Sequence, residues 1–166
     1  MTDGVLSISV EAPDAAESLS LQEAMWSELG ALYGKDNGPM QWSPDELAGP
    51  GTAFVVAWRD GRAVGCGAVI PAGPGEGEIR RMYVTPPARR GGVARRLLEA
   101  LEGLALGLGY DRVKLETGRR QPEALNLYRS AGFLEIPCWG RHAGDPQSVC
   151  LAKALGPDPD PGAQAR

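Results

Sequence analysis

Short β-rich runs joined by tight turns, then a long amphipathic helix, then a further strand predict a mixed α/β fold, a mostly antiparallel sheet with helices on both faces. Asp60-Gly61 between two such runs is a two-residue hairpin signal, which makes that pairing antiparallel. Val93, Leu97, Leu101, Leu104 and Leu108 share a helix face, and the strand-like Val113 to Thr117 follows. A helix between two strands is a crossover, so those strands are expected to be parallel. A chain of 166 residues suits one domain with a real core. The domain is expected over residues 1–155, with 156–166 a disordered tail because Pro157, Pro159 and Pro161 alternate there with aspartate and glycine.

The elements follow in order. Residues 6–10 alternate apolar and polar as a half-buried strand does. Asp14 with Glu17 resembles a capping box and starts a helix whose Leu21, Met25, Leu29 and Leu32 recur at helical spacing until Gly34. Ser43-Pro44-Asp45-Glu46 places a cap, a proline and acidic residues at the start of a short second helix. Residues 52–59 and 62–70 form the hairpin, Gly73-Pro74-Gly75 turns the chain, and 76–84 returns as a third antiparallel strand. Beyond the crossover, Pro122 opens a helix that Gly132 stops, and residues 133–136 and 148–152 close the sheet.

Charge and cysteine usage limit the function classes. The net charge of −4 is the wrong sign for a nucleic-acid binder. No apolar run is long enough for a membrane span, and the N-terminal residues carry no secretory pattern, so a cytoplasmic location is expected. Cys66, Cys138 and Cys150 match no C-x-x-C spacing and are expected to be reduced thiols; no metal-ligand spacing is present. Against the acidic background, Arg80, Arg81, Arg89, Arg90, Arg95 and Arg96 crowd one short stretch. Guanidinium forks match phosphate geometry, so this patch points to a small phosphorylated ligand.

The chemistry concentrates in one strand-turn-helix unit. Glu78, Met82, Tyr83 and Val84 lie on the strand, and Arg89, Arg90, Gly91, Gly92, Val93, Ala94 and Arg95 form the turn and helix start. Paired glycines let a ligand approach the backbone, and the first helical turn leaves its amides unpaired. Amides, dipole and arginines together make a site for a pyrophosphate. Neither a Gly-Lys-Ser/Thr loop nor G-x-G-x-x-G is present.

On these residues the sequence resembles the GNAT superfamily of acetyl-CoA-dependent N-acetyltransferases. Arg89-x-x-Gly92-x-Ala94 is similar to that family's pyrophosphate loop, and Met82-Tyr83-Val84 to the splayed strand before it. Leu127 to Phe133, with Tyr128 and Gly132-Phe133, is similar to its second landmark. Two departures stand out: Arg90 replaces a common glycine, and Gln121 stands where asparagine is common, still able to donate and accept to a pantetheine amide. The resemblance implies acetyl transfer from acetyl-CoA to a primary amine by direct attack in a ternary complex. It also implies backbone contacts from Met82 and Val84 to pantetheine, Glu78 as general base and Tyr128 as the acid for the leaving thiolate. A backbone N–H near Val84 would serve the oxyanion.

Glu116 on the neighbouring strand is the rival base. His142, the chain's sole histidine, is expected in a surface or substrate loop, and Cys66 and Cys150 as buried inert thiols. Trp26, Tyr33 and Trp42 are placed to line an acceptor pocket or to serve as ordinary core. A small-molecule amine is the preferred acceptor, with an antibiotic, an amino acid or a protein amine left open. A non-catalytic acyl-CoA-binding regulatory module is the alternative reading, and a homodimer is compatible with the family.

Overall fold

The computed structural model describes residues 4–156. Its centre is a seven-stranded sheet in the order β1-β2-β3-β4-β5-β7-β6. The strands are β1 (Leu6–Val10), β2 (Ala53–Arg59), β3 (Arg62–Gly73), β4 (Glu76–Val84), β5 (Arg112–Gly118), β6 (Leu134–Ile136) and β7 (Ser148–Ala154). The helices are α1 (Ala16–Leu32), α2 (Val93–Gly107) and α3 (Pro122–Ser130). The proline-rich tail expected at 156–166 lies, from residue 157 on, outside the described residues.

Asp60 and Gly61 turn the β2–β3 hairpin with φ of 53° and 74°, the left-handed pair that matches strand twist. The crossover helix α2 leaves β4 and β5 parallel, but only from Glu76 to Glu78 against Arg112 to Lys114. Beyond Glu78 the two strands part, and the β5-facing edge of β4 is open. A bulge falls just there: Arg81 has a φ of 58°, and the β3–β4 register shifts between Cys66 and Ala68.

Two apolar clusters clamp the sheet. Val93, Leu97, Leu98, Leu101 and Ala105 of α2 bury one face, joined by Leu125 and Tyr128 of α3. Gly65 and Gly67 permit that contact, since a Cβ on Gly67 would lie 2.7 Å from Leu101 Cδ1 and one on Gly65 2.9 Å from Leu97 Cδ1. The second cluster packs Leu21 of α1 and Leu47 against Phe54, Val56, Cys66, Ala68 and Tyr83. Leu47 belongs to a single 3-10 turn, Pro44–Leu47, where the Asp45 N–H donates to Ser43 Oγ at 3.2 Å, the cap the sequence predicts.

Two expectations are corrected, and one helical pattern is resolved. The start of α1 is not capped by Asp14: Ala15 holds the cap position without a side-chain bond, and Gln22 Nε2 ties the entry by donating to the Pro13 carbonyl at 2.9 Å. The helical stripe Leu21, Met25, Leu29, Leu32 is core only at Leu21; Leu32 is exposed and Met25 and Leu29 line an open groove. Finally, Cys138 and Cys150 are joined by a disulfide, because β6 and β7 bring the two Cα atoms to 5.2 Å. Cys66 alone is a free thiol among the described residues.

Candidate active site

Where β4 leaves β5, the loop Thr85–Gly92 carries the chain into α2. Gly92 adopts a φ of 80°, and Arg90, in the place where the family commonly has glycine, adopts 67°. The first intrahelical bond runs from Arg96 N–H to Gly92 C=O at 3.1 Å, so the amides of Val93, Ala94 and Arg95 have no partner within the helix. Gly92 brings no capping side chain to them. An anion is the natural complement of this end.

These amides face a groove of about 1090 Å³ between α2, α3, α1 and the open edge of β4. Of the predicted site residues, Met82, Tyr83, Val84, Arg89, Arg90, Gly92, Val93, Ala94, Arg95, Gln121 and Tyr128 are on its wall. Gly91 is not; a Cβ there would point toward Arg59 instead. The arginines are already engaged. Arg89 Nε donates to the Val84 carbonyl at 2.9 Å and Arg89 Nη2 pairs with Glu28. Arg95 donates to Ser130 Oγ, and Arg90 lies 3.6 Å from Glu123. The backbone amides are therefore the donors at this end that lack a partner within the helix, while the guanidinium groups already have partners.

A smaller depression of about 180 Å³ adjoins the groove on the β5 side and shares Met25, Leu29, Met82, Gln121, Ala124 and Tyr128 with it. Glu78 lies on this smaller one, 8% exposed, its Oε2 accepting from Arg80 Nε at 2.9 Å. Tyr128 stands at the junction, packed against Phe133, and burial pushes its phenol above the ordinary tyrosine range. It therefore holds its proton throughout the neutral range. Gly118 at the end of β5 leaves room for Tyr33 and Gln121 to meet over its Cα.

Glu116 also reaches this depression; its Oε2 accepts from Ser148 Oγ at 2.7 Å and lies 3.8 Å from His142 Nδ1. Ser148 thus faces the carboxylate rather than the imidazole and forms no nucleophile triad. Trp42 lines the same depression with its edge against Trp26, ring centroids 5.0 Å apart, and with the Arg81 guanidinium 4.0 Å over its ring. Burial lowers the Arg81 pKa from its ordinary value, while Glu46 at 3.3 Å partly restores it.

No cysteine lines either cavity. Cys66 is buried, its Sγ donating to the Arg81 carbonyl at 3.3 Å, and burial pushes its thiol up to about 12. Cys150, expected as a second inert thiol, is in the disulfide. Residues that the sequence did not single out are Met25 and Leu29 as groove wall, and Thr117 and Arg141 on the smaller depression. Arg141 lies in a Gly-rich loop with no periodic signal. Among the described residues, no group of His, Cys, Asp and Glu is arranged to hold a metal ion, and no helix is long and apolar enough to cross a membrane.

Comparison with known proteins bears on this geometry. The family model described as "Acetyltransferase (GNAT) family" matches residues 18–133. An IAA acetyltransferase of Azospirillum brasilense is 38% identical over 151 residues, covering 90% of this chain and 98% of its own. Among solved structures, a candidate acyl-CoA N-acyltransferase from Klebsiella pneumoniae is 29% identical with a TM-score of 0.77, covering 92% of this chain and 99% of that one. A GNAT acetyltransferase from Elizabethkingia anophelis, solved with acetyl-CoA bound, shares the fold at 16% identity and a TM-score of 0.66, covering 90% and 98%.

Proposed function

The chain belongs to the acetyltransferase (GNAT) family and is an acyl-CoA-dependent N-acetyltransferase, and from that premise we propose that it transfers acetyl from acetyl-CoA to the primary amine of a small molecule by direct attack in a ternary complex. The observation that carries the reading is the junction of the two cavities. A long groove headed by unpaired helix amides suits an extended diphosphate ligand, and the small depression beside Glu78 suits a compact acceptor.

Acetyl-CoA supplies the activated acyl group. The Val93, Ala94 and Arg95 amides hold the diphosphate, with Arg89, Arg90 and Arg95 at its rim. The open edge of β4 at Met82 and Val84, with Gln121 opposite, aligns the pantetheine arm as an added strand would be aligned. Glu78, directly or through water, takes the proton that an alkylammonium must lose before its nitrogen lone pair can form the C–N bond. A backbone N–H near Val84 stabilises the oxygen charge while that bond forms. Tyr128 hydrogen-bonds the departing sulfur or gives it a proton as the C–S bond breaks, and the proton still held by the new C–N nitrogen then restores the phenol; burial keeps that phenol protonated beforehand. Glu116, oriented by Ser148 and near His142, is the second candidate for the base.

We take the protein to be cytoplasmic and to act as one domain, the latter supported by both clusters packing on a single sheet. The test is release of free CoA thiol from acetyl-CoA across a panel of amines. Amine-dependent release supports transfer, whereas saturable acetyl-CoA binding without release for any amine leaves a binding module instead.

A further inference from the structure

The small depression is rich in charge. Arg80, Arg81 and Arg141 line it against Glu78 and Glu116. Three of these charges, on Arg80, Arg81 and Glu78, are paired with an opposite charge. Arg80 pairs with Glu78 at 2.9 Å and approaches Glu46 at 3.7 Å. Arg81 pairs with Glu46 at 3.3 Å and stacks on Trp42. Glu116 accepts from Ser148 and faces His142. Arg141 is left over: among the described residues no carboxylate lies within ion-pairing distance of it.

Arg141 is itself exposed, and its chain neighbours are anchored. It sits in the 3-10 turn Gly140–His142, which follows the Cys138–Cys150 disulfide. The ring of Trp139 beside it packs under Lys114 Nζ at 4.2 Å and edge-on to His142 at 5.9 Å. With Glu46 included the charges balance, and Arg141 is the cation left without a carboxylate; a purely cationic amine would leave it so. An acceptor that also carries a carboxylate would instead complete the pairing, since the guanidinium fork matches that group. Met25, Leu29 and Trp42 give the cavity an apolar wall.

We propose that the acceptor is a small amino acid with an apolar side chain, and that Arg141 selects it by binding its carboxylate while the amine lies toward Glu78. This deepens the proposed function and rests on it. The experiment compares acetyl-CoA-dependent turnover of matched pairs, leucine against isopentylamine and phenylalanine against phenethylamine, in the wild type and in Arg141→Gln and Arg141→Lys. The expected result is a kcat/KM at least about tenfold higher for the amino acid, because a site built to pair with a group rejects the analogue that lacks it. Arg141→Gln should collapse that ratio to within about threefold, through KM for the amino acid, and Arg141→Lys should restore part of it. Equal or better turnover of the decarboxylated amines by the wild type overturns the proposal, as does an unchanged ratio in Arg141→Gln. Turnover of unrelated amines but of neither pair overturns the acceptor assignment alone, and no CoA release with any amine overturns the transfer reaction and this proposal with it.

Discussion

Arg89 and Glu28 join across the mouth of the groove, the guanidinium reaching from the loop before α2 to the carboxylate on α1. The same guanidinium donates from Nε to the Val84 carbonyl at 2.9 Å and lies 5.6 Å over the Tyr83 ring. One side chain thereby ties the loop before α2, the end of β4 and α1 together. On the proposed binding mode, a diphosphate at the α2 amides would compete with Glu28 for it.

Glu28→Gln should therefore tighten CoA binding. Both partners are more than a third exposed, so the gain is small, about threefold at low salt, and it shrinks as salt is added. Calorimetric titration checks this, and weaker binding by the variant would remove Glu28 as a competitor.

Gly92 is required for its backbone rather than for space. A Cβ there meets nothing within 4 Å, but the φ of 80° costs an L-residue about 1–2 kcal/mol, more for a β-branched one. Gly92→Val should weaken CoA binding by about tenfold or more, while Gly92→Asn, which tolerates the left-handed region, should stay within about threefold. Equal loss in both variants would point to a clash with the ligand instead of a distorted loop.

The assignment of the base separates by pH. Glu78→Gln should lower kcat most near neutral pH and recover at alkaline pH, where free amine is abundant. Should Glu116→Gln show that recovery and Glu78→Gln a uniform loss, the base is Glu116, and Glu78 serves to anchor Arg80.

Stability should fall on the alkaline side. Cys66 ionises at about 12 when folded against 9.0 ordinarily, so the folded state binds its proton more tightly than the unfolded one. That advantage is complete below about pH 9 and is lost as pH rises toward 12. Between about pH 8 and pH 10.5 the loss approaches 2 kcal/mol by linkage, with Tyr128 acting in the same direction. Urea midpoints at the two pH values should converge in Cys66→Ala relative to the wild type; parallel pH slopes would exclude the thiol.

Much of this site was legible in the sequence because its parts are local. The glycines before Val93, the arginine cluster and the hairpin turn at Asp60-Gly61 each express a backbone requirement within a few residues. Side-chain destinations across the fold were not. Met25 and Leu29 share helical spacing with the buried Leu21, and spacing cannot distinguish a core stripe from a groove wall. Cys138 and Cys150 pair only because β6 lies beside β7, a long-range register no motif announces. Arg141 gains meaning only from the partners taken by Arg80, Arg81 and Glu116. Asp14 was misread as a cap because Gln22, a helical turn into α1, does the tethering.

The central claim is that the unpaired amides at the start of α2 hold the diphosphate of coenzyme A. Calorimetric titration of the purified chain with CoA and, separately, with pantetheine, which lacks the diphosphate, addresses it directly. Saturable one-site binding of CoA is expected, with pantetheine bound at least about a hundredfold more weakly, since it lacks the diphosphate and the 3′-phosphoadenosine beyond it. No saturable CoA binding, or equal affinity for the two, would contradict it.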